Sequence, residues 1–184
     1  MKDLKIFDIS FIGLKDGNHI FEYKIEKAFF DFFNYDEFYN SNVQVVLSFF
    51  KKATMFELNF VCKGWVEVDC DLTGERFQQI IDANIDLVVK FGEEYNDENE
   101  ELLIIPHSQF KINVAQYIYE AIVLAVPIKK IHPGVIDGTL QSDILEKLKE
   151  FEINSFEEDQ TEEETNREID PRWNKLKEYT NRKK

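Results

Sequence analysis

Residues 55–70 read MFELNFVCKGWVEVDC, and the fold turns on this stretch. Its even positions carry Phe56, Leu58, Phe60, Cys62, Gly64, Val66, Val68 and Cys70, while its odd positions include Glu57, Asn59, Lys63, Glu67 and Asp69. Successive side chains of a strand point to opposite faces, so alternation kept this long predicts one long strand with a buried face, or two strands in phase. Gly64 in its middle marks a bulge or bend. Residues 85–91 alternate as cleanly, with Ile85, Leu87, Val89 and Phe91 inward, and residues 43–50 do so through Val43, Val45, Leu47 and Phe49. Further upstream, strand-like residues 4–14 and 19–26 flank the turn signal Lys15-Asp16-Gly17-Asn18. His19, Phe21, Tyr23 and Ile25 share one face of the second. These segments make a largely antiparallel sheet with one face covered.

A helix is the natural cover. Residues 114–126 are almost wholly apolar, with Asn113 placed to cap the start and Pro127 to stop the end. Val114, Ile118, Ala121, Ile122 and Ala125 fall on one helical face, flanked by Tyr117 and Leu124. A second helix is expected from Ser142 to about Phe151, with Ile144, Leu145, Leu148 and Phe151 as its stripe. Phe29, Phe30, Phe32 and Phe33 read as core at a strand-to-helix corner. The stretch 93–101 holds six acids and no base, and reads as an exposed loop. The expected class is therefore α+β: a largely antiparallel sheet with one long bent strand, a central apolar helix packed on it, and a short C-terminal helix.

A chain of 184 residues with 43% hydrophobic residues and seventeen Phe can build a core of ordinary size. No apolar run approaches the roughly 18–20 residues that span a bilayer. The opening Met1-Lys2-Asp3-Leu4-Lys5 leads straight into strand-like sequence without an apolar signal region, so a cytoplasmic protein without a membrane role is expected. The formal net charge is −14. Half of it sits in residues 155–170, where eight acids face Arg167 alone. A body this acidic repels phosphate backbones, which argues against broad nucleic-acid binding by the domain and for basic protein partners.

Charge also divides the chain. Residues 1–154 read as a globular domain and 155–169 as an acidic flexible linker. Residues 170–184 read as a short basic amphipathic helix, with Asp170 as cap and Pro171 at the first helical position. Trp173, Leu176 and Thr180 share a face there, and a helix so short needs a surface to pack on.

Catalytic chemistry has little support. The seven glycines form no phosphate loop, and His19, His107 and His132 sit in no metal or acid–base spacing. Cys62 and Cys70 read as reduced, buried thiols, and the neighbouring Asp69 and Asp71 would raise the pKa of Cys70. Glu120, the one charge on the long helix, reads as its solvent stripe. Trp65, on the polar side of the long strand beside Lys63 and Glu67, is a candidate interface anchor, as are Arg172, Trp173 and Leu176 with the helix start Asp170-Pro171. No catalytic residue, metal ligand or cofactor is assigned.

Four stretches in series then carry a likeness. They are Gly13-Leu14-Lys15-Asp16-Gly17 leading into Phe21 to Phe30, Cys70-Asp71-Leu72-Thr73-Gly74-Glu75, Tyr119-Glu120 to Pro127, and Asp170-Pro171-Arg172-Trp173 with Leu176. Their order and spacing resemble the bacterial YceD family, the large ribosomal RNA subunit accumulation proteins. The resemblance implies a role in accumulation of large-subunit ribosomal RNA, without known catalysis. Many family members carry one Cys pair after the long strand and another beyond the helix-ending Pro, which look like a metal site. Here Cys70 remains, Thr73 stands in the second place, and residues 131–138 hold no cysteine. No zinc site is carried over. The expected partner is a basic ribosomal protein or a large-subunit assembly intermediate, met by a chain that is a monomer when free. The alternative is a protein–protein adaptor unrelated to ribosomes.

Overall fold

The computed structural model describes residues 4–99, 101–140 and 142–151, and in it the chain is an α+β protein built on a large, mostly antiparallel sheet. After a 3-10 turn at Leu4–Phe7, the strands and helices run β1 (Asp8–Ser10), β2 (Gly17–Glu26), α1 (Lys27–Asp31), β3 (Asn40–Lys51), β4 (Met55–Asp69), β5 (Arg76–Gly92), β6 (Asn96–Asn99), β7 (Leu102–Pro106), β8 (Lys111–Asn113), α2 (Ala115–Ala125), α3 (Pro133–Ile136) and α4 (Asp143–Phe151). All but the last belong to one compact unit, residues 1–146. The six-stranded sheet has the order β2-β3-β4-β5-β7-β6, and β1 pairs with β8 in a separate two-stranded ribbon.

The alternating stretch that opened the sequence reading is a single 15-residue strand between two long neighbours. Phe56, Leu58, Phe60, Cys62, Val66 and Val68 are buried on one face, beside Val43, Val45, Leu47 and Phe49 of β3 and Phe77, Ile81, Leu87 and Val89 of β5. Helix α2 packs across β4 and β5 through Ala115, Ile118, Ala121 and Ile122. Beside it Phe30 meets Phe38 edge-on at 4.9 Å, and Phe33 stacks on Tyr119 at 4.3 Å. Each fully buried large side chain here, such as Phe30, Phe38 or Phe60, stabilises the fold by about 1.5–3 kcal/mol. Gly64 pairs with Val43 at a close backbone approach: with φ at +156°, a Cβ there would lie 2.2 Å from the Asn42 carbonyl oxygen.

Several elements differ from the sequence reading. Strand β5 starts at Arg76 rather than near Ile85, because ladder pairing from Asp69 onward carries Gln78, Asp82 and Asn84 on its polar face. The acidic segment is not wholly loop. Asn96–Asn99 form an edge strand whose backbone pairs with β7 while every side chain stays in solvent. Strand β7 lies parallel to β5. Only residues 8–10 of the first segment are strand, since residues 4–7 wind into the 3-10 turn that drops Phe7 into the core. Asn113 does not occupy the cap position of α2; Val114 does, and Asn113 Oδ1 accepts the Ala115 N–H from one residue earlier, at 3.0 Å. Phe32 and Leu124 point outward. The expected linker 155–169 and terminal segment 170–184 lie outside the described residues.

Candidate functional site

Two places in the described unit concentrate residues that packing alone does not demand. The first is the junction beyond β4. The chain leaves Asp69 and turns through residues 70–75 before starting β5, with Gly74 at φ +71° taking the left-handed position that glycine favours. The Cys70 carbonyl accepts the Gly74 N–H at 2.8 Å, and the Cys70 N–H donates to Glu75 at 2.9 Å. The segment after α2 docks on this turn. Asp71 N–H donates to the Lys130 carbonyl at 2.8 Å, and Lys130 N–H donates to Asp71 Oδ2 at 2.6 Å. Next, His132 N–H donates to Cys70 Sγ at 3.3 Å. The His132 ring caps α3, its Nδ1 accepting the Gly134 N–H at 2.9 Å, and its edge meets Phe77 at 5.4 Å between centroids.

These bonds reverse the expectation for Cys70. Burial pushes its thiol up, but the Thr73 hydroxyl and the backbone N–H groups of His132, Leu72 and Thr73 all favour the thiolate, and together they hold it below the ordinary value. The adjacent carboxylates do not decide the matter. Asp71 is spent on the Lys130 N–H, and Asp69 accepts the Tyr39 hydroxyl at 2.6 Å. Cys62, buried on the sheet without such donors, goes the other way, to about 11. Both thiols are free and buried.

A structural zinc takes four nitrogen or sulfur donors in a tetrahedron. At this junction only Cys70 and His132 are of that kind, and the Cys70 sulfur and the His132 Nδ1 already accept backbone N–H groups. Among the described residues no three His, Cys, Asp or Glu side chains gather closely enough to hold an ion. The residues present do not fit the metal. Thr73 is buried at the junction, and its hydroxyl hydrogen-bonds the Cys70 sulfur.

The family model for the large ribosomal RNA subunit accumulation protein YceD matches residues 58–178, well over half of the chain. The chain belongs to the YceD family. No curated protein and no solved structure matches it. The YceD match begins inside β4 and takes in β5, β7, α2 and the junction, whereas β2 and β3 precede it. The junction lies within the matched range and is closed by hydrogen bonds.

The second place is the face of the sheet opposite α2. Glu22, Glu57, Glu67, Asp82 and Asp86 lie there with Lys24, Lys63 and Arg76. Trp65, half-buried, sits between Asn42 on β3 and Ile80 on β5, its register partners, and Ile80 is 66% exposed. At the end of the face Arg76 lies over the Tyr39 ring at 3.6 Å, and Asp69 holds the Tyr39 hydroxyl, which raises that hydroxyl's pKa. Sequence reasoning found Trp65 but missed Ile80, Tyr39 and Arg76, because their meeting depends on the early start of β5. The other candidates, Asp170, Pro171, Arg172, Trp173 and Leu176, lie outside the described residues. Of the remaining sequence candidates, Glu120 accepts a hydrogen bond from Gln116 on its own helix at 2.8 Å, and His107 stacks on Phe91 at 5.6 Å. No described helix is long and apolar enough to cross a membrane.

Proposed function

We propose that this protein is a non-catalytic accessory factor in the accumulation of large-subunit ribosomal RNA, and that it acts by binding a basic ribosomal protein or assembly intermediate. Family membership supports the process. The observation that carries the binding mode is the Trp65–Ile80 pair, an apolar centre on the uncovered face flanked by Glu67 and by Asp82 with its partner Lys63, on a face that also carries Glu22, Glu57 and Asp86. An interface with an apolar centre and a charged rim selects a partner of opposite charge, and an acidic rim selects a basic segment. The same acids repel RNA phosphates, so protein rather than RNA is the direct contact. The test is a sucrose gradient of cell lysate probed for the protein, with a nuclease-treated pull-down in parallel. Comigration with large-subunit precursors, and a basic ribosomal protein retained after nuclease, is the expected result. A protein that stays at the top of the gradient and retains other partners would be an adaptor unrelated to ribosomes.

A further inference from the structure

Aromatic rings stand beside acids at three places along the uncovered face, and at two of them the chain supplies its own cation. Lys52 lies over the Phe50 ring at 5.4 Å and donates to Glu57, the register partner of Phe50. At the other end of the face Arg76 lies over the Tyr39 ring at 3.6 Å, with Asp69 3.8 Å from its Nε. A cation so placed is held by the ring and by the carboxylate together. The third place is Trp65 with Glu67.

These two residues are half-buried and lie two apart on β4, so both side chains stand on the uncovered face. Same-face neighbours on a strand are about 7 Å apart, which admits one cation in contact with both ring and carboxylate. Among the described residues the Glu67 carboxylate makes no hydrogen bond and no ion pair. The nearby cations are engaged elsewhere: Lys24 with Glu26 at 2.8 Å, Lys63 with Asp82 at 3.7 Å, and Arg76 with Asp69. Glu67 therefore carries an uncompensated charge beside Trp65. Across the ladder Glu67 faces Asn40 and Gln78, and Trp65 faces Asn42 and Ile80.

We infer that Trp65 and Glu67 together seat an arginine side chain of the basic partner, with Ile80 against its methylene stem. The inference rests on the reading of this face as a surface for a basic protein, and it names the side chain that the face selects. A lysine ammonium would answer the charge, but it is a compact, strongly hydrated point. A guanidinium stacks flat on an aromatic ring, sheds water more readily, and presents several N–H groups in one plane. Glu67 and the flanking amides of Gln78 and Asn42 supply oxygens for them. The stem lies along apolar surface, as long basic side chains do. Arg76 on Tyr39 and Asp69 is the same arrangement made within the chain. An RNA base also stacks on tryptophan, but it would bring phosphates beside an acid that has no cation.

The test follows the fluorescence anisotropy of three labelled probes on the full chain at low salt. They are a short peptide repeating Arg-Ser-Leu, its Lys-Ser-Leu counterpart and an oligouridylate, and thermal melts check that every variant folds. The arginine peptide should bind about fivefold tighter than the lysine peptide. Glu67→Gln should weaken the arginine peptide about tenfold and shrink its advantage over lysine. Trp65→Leu should weaken it about fivefold, and Trp65→Phe, which keeps a ring, by less. Glu120→Gln removes the same charge from α2 on the covered side and should change binding less than about twofold. Equal binding of the two peptides, no binding of either at about 1 mM, or indifference to Glu67→Gln would overturn the proposal. So would tighter binding of the oligouridylate. The nuclease-treated pull-down separates this inference from the ribosomal reading. A basic ribosomal protein retained equally by wild type and Glu67→Gln sinks the arginine seat alone, whereas no such protein retained, with the peptide results intact, sinks the ribosomal reading alone.

Discussion

His132 reaches back across 62 residues of chain to donate its backbone N–H to the sulfur of Cys70, 3.3 Å away. That contact, with the two Asp71–Lys130 bonds, fastens the segment after α2 to the turn after β4. The junction is held by hydrogen bonds, whereas a tetrahedral metal site is held by sulfur and nitrogen donors.

Cutting the fastening has a defined cost. Cys70→Ala removes a buried acceptor and leaves both a small cavity and an unsatisfied N–H, which should lower stability by about 1–3 kcal/mol. Urea unfolding followed by circular dichroism measures it. A variant as stable as wild type would mean that the sulfur contact contributes nothing.

Metal removal should be silent. Prolonged dialysis against a strong chelator is expected to leave the melting temperature unchanged, and elemental analysis of the purified protein should find zinc well below one per chain. A chelator-sensitive melt would contradict the donor count at the junction.

Gly64 should resist substitution more than any other glycine in the sheet. A methyl group there meets the Asn42 carbonyl oxygen at 2.2 Å and the Val43 Cα at 2.7 Å, both backbone atoms that cannot swing aside. Gly64→Ala therefore forces β3 and β4 apart at the Val43–Gly64 pair, with an expected loss on the order of 3 kcal/mol. Gly13, where a Cβ would meet nothing within 4 Å, is the control and should tolerate alanine.

Stability should fall in alkali. Burial raises Cys62 from 9.0 to about 11 and Tyr23 from 10.0 to about 12, so the unfolded chain releases these protons first. Their contribution is complete below pH 9.0 and is lost as pH rises through 11 and 12. Urea midpoints measured between those limits should decline, and Cys62→Val, which cannot ionise, should remove the early part of the decline. A flat profile in both proteins would contradict the burial of that thiol.

Trp65→Ala should weaken capture of the basic partner while changing the melting temperature little, because the ring is half-exposed on the uncovered face. The same comparison applies to Trp173→Ala in the terminal segment. If Trp173 packs on a partner, binding falls. If it packs on its own chain, the melt shifts instead.

Much of the sheet was legible because burial imposes period two. Where one face is fully covered, as from Phe56 to Val68, the residues announce the strand. Where pairing continues without that pressure, they do not. Gln78, Asp82 and Asn84 look like loop, yet β4 holds them in a ladder, and the acidic β6 is a strand by backbone bonds alone. The junction shows a different limit. Cys70, Asp71 and Thr73 stood out in the sequence, but the protonation of Cys70 depends on donors from His132, far along the chain. Trp65 was visible as an oddity on a polar face, and Ile80 became its neighbour only through register.

The far edge of the sheet has its own consequence for behaviour in a crowded cell. Strand β6 is four residues long, irregular in its pairing with β7, and shows Asp97 and Glu98 to solvent. An incoming strand would find few backbone groups in line and a like-charged row beside them, so growth from that side is self-limiting. The β6 side of the sheet is therefore a terminus, and crowding does not turn it into the seed of a fibre.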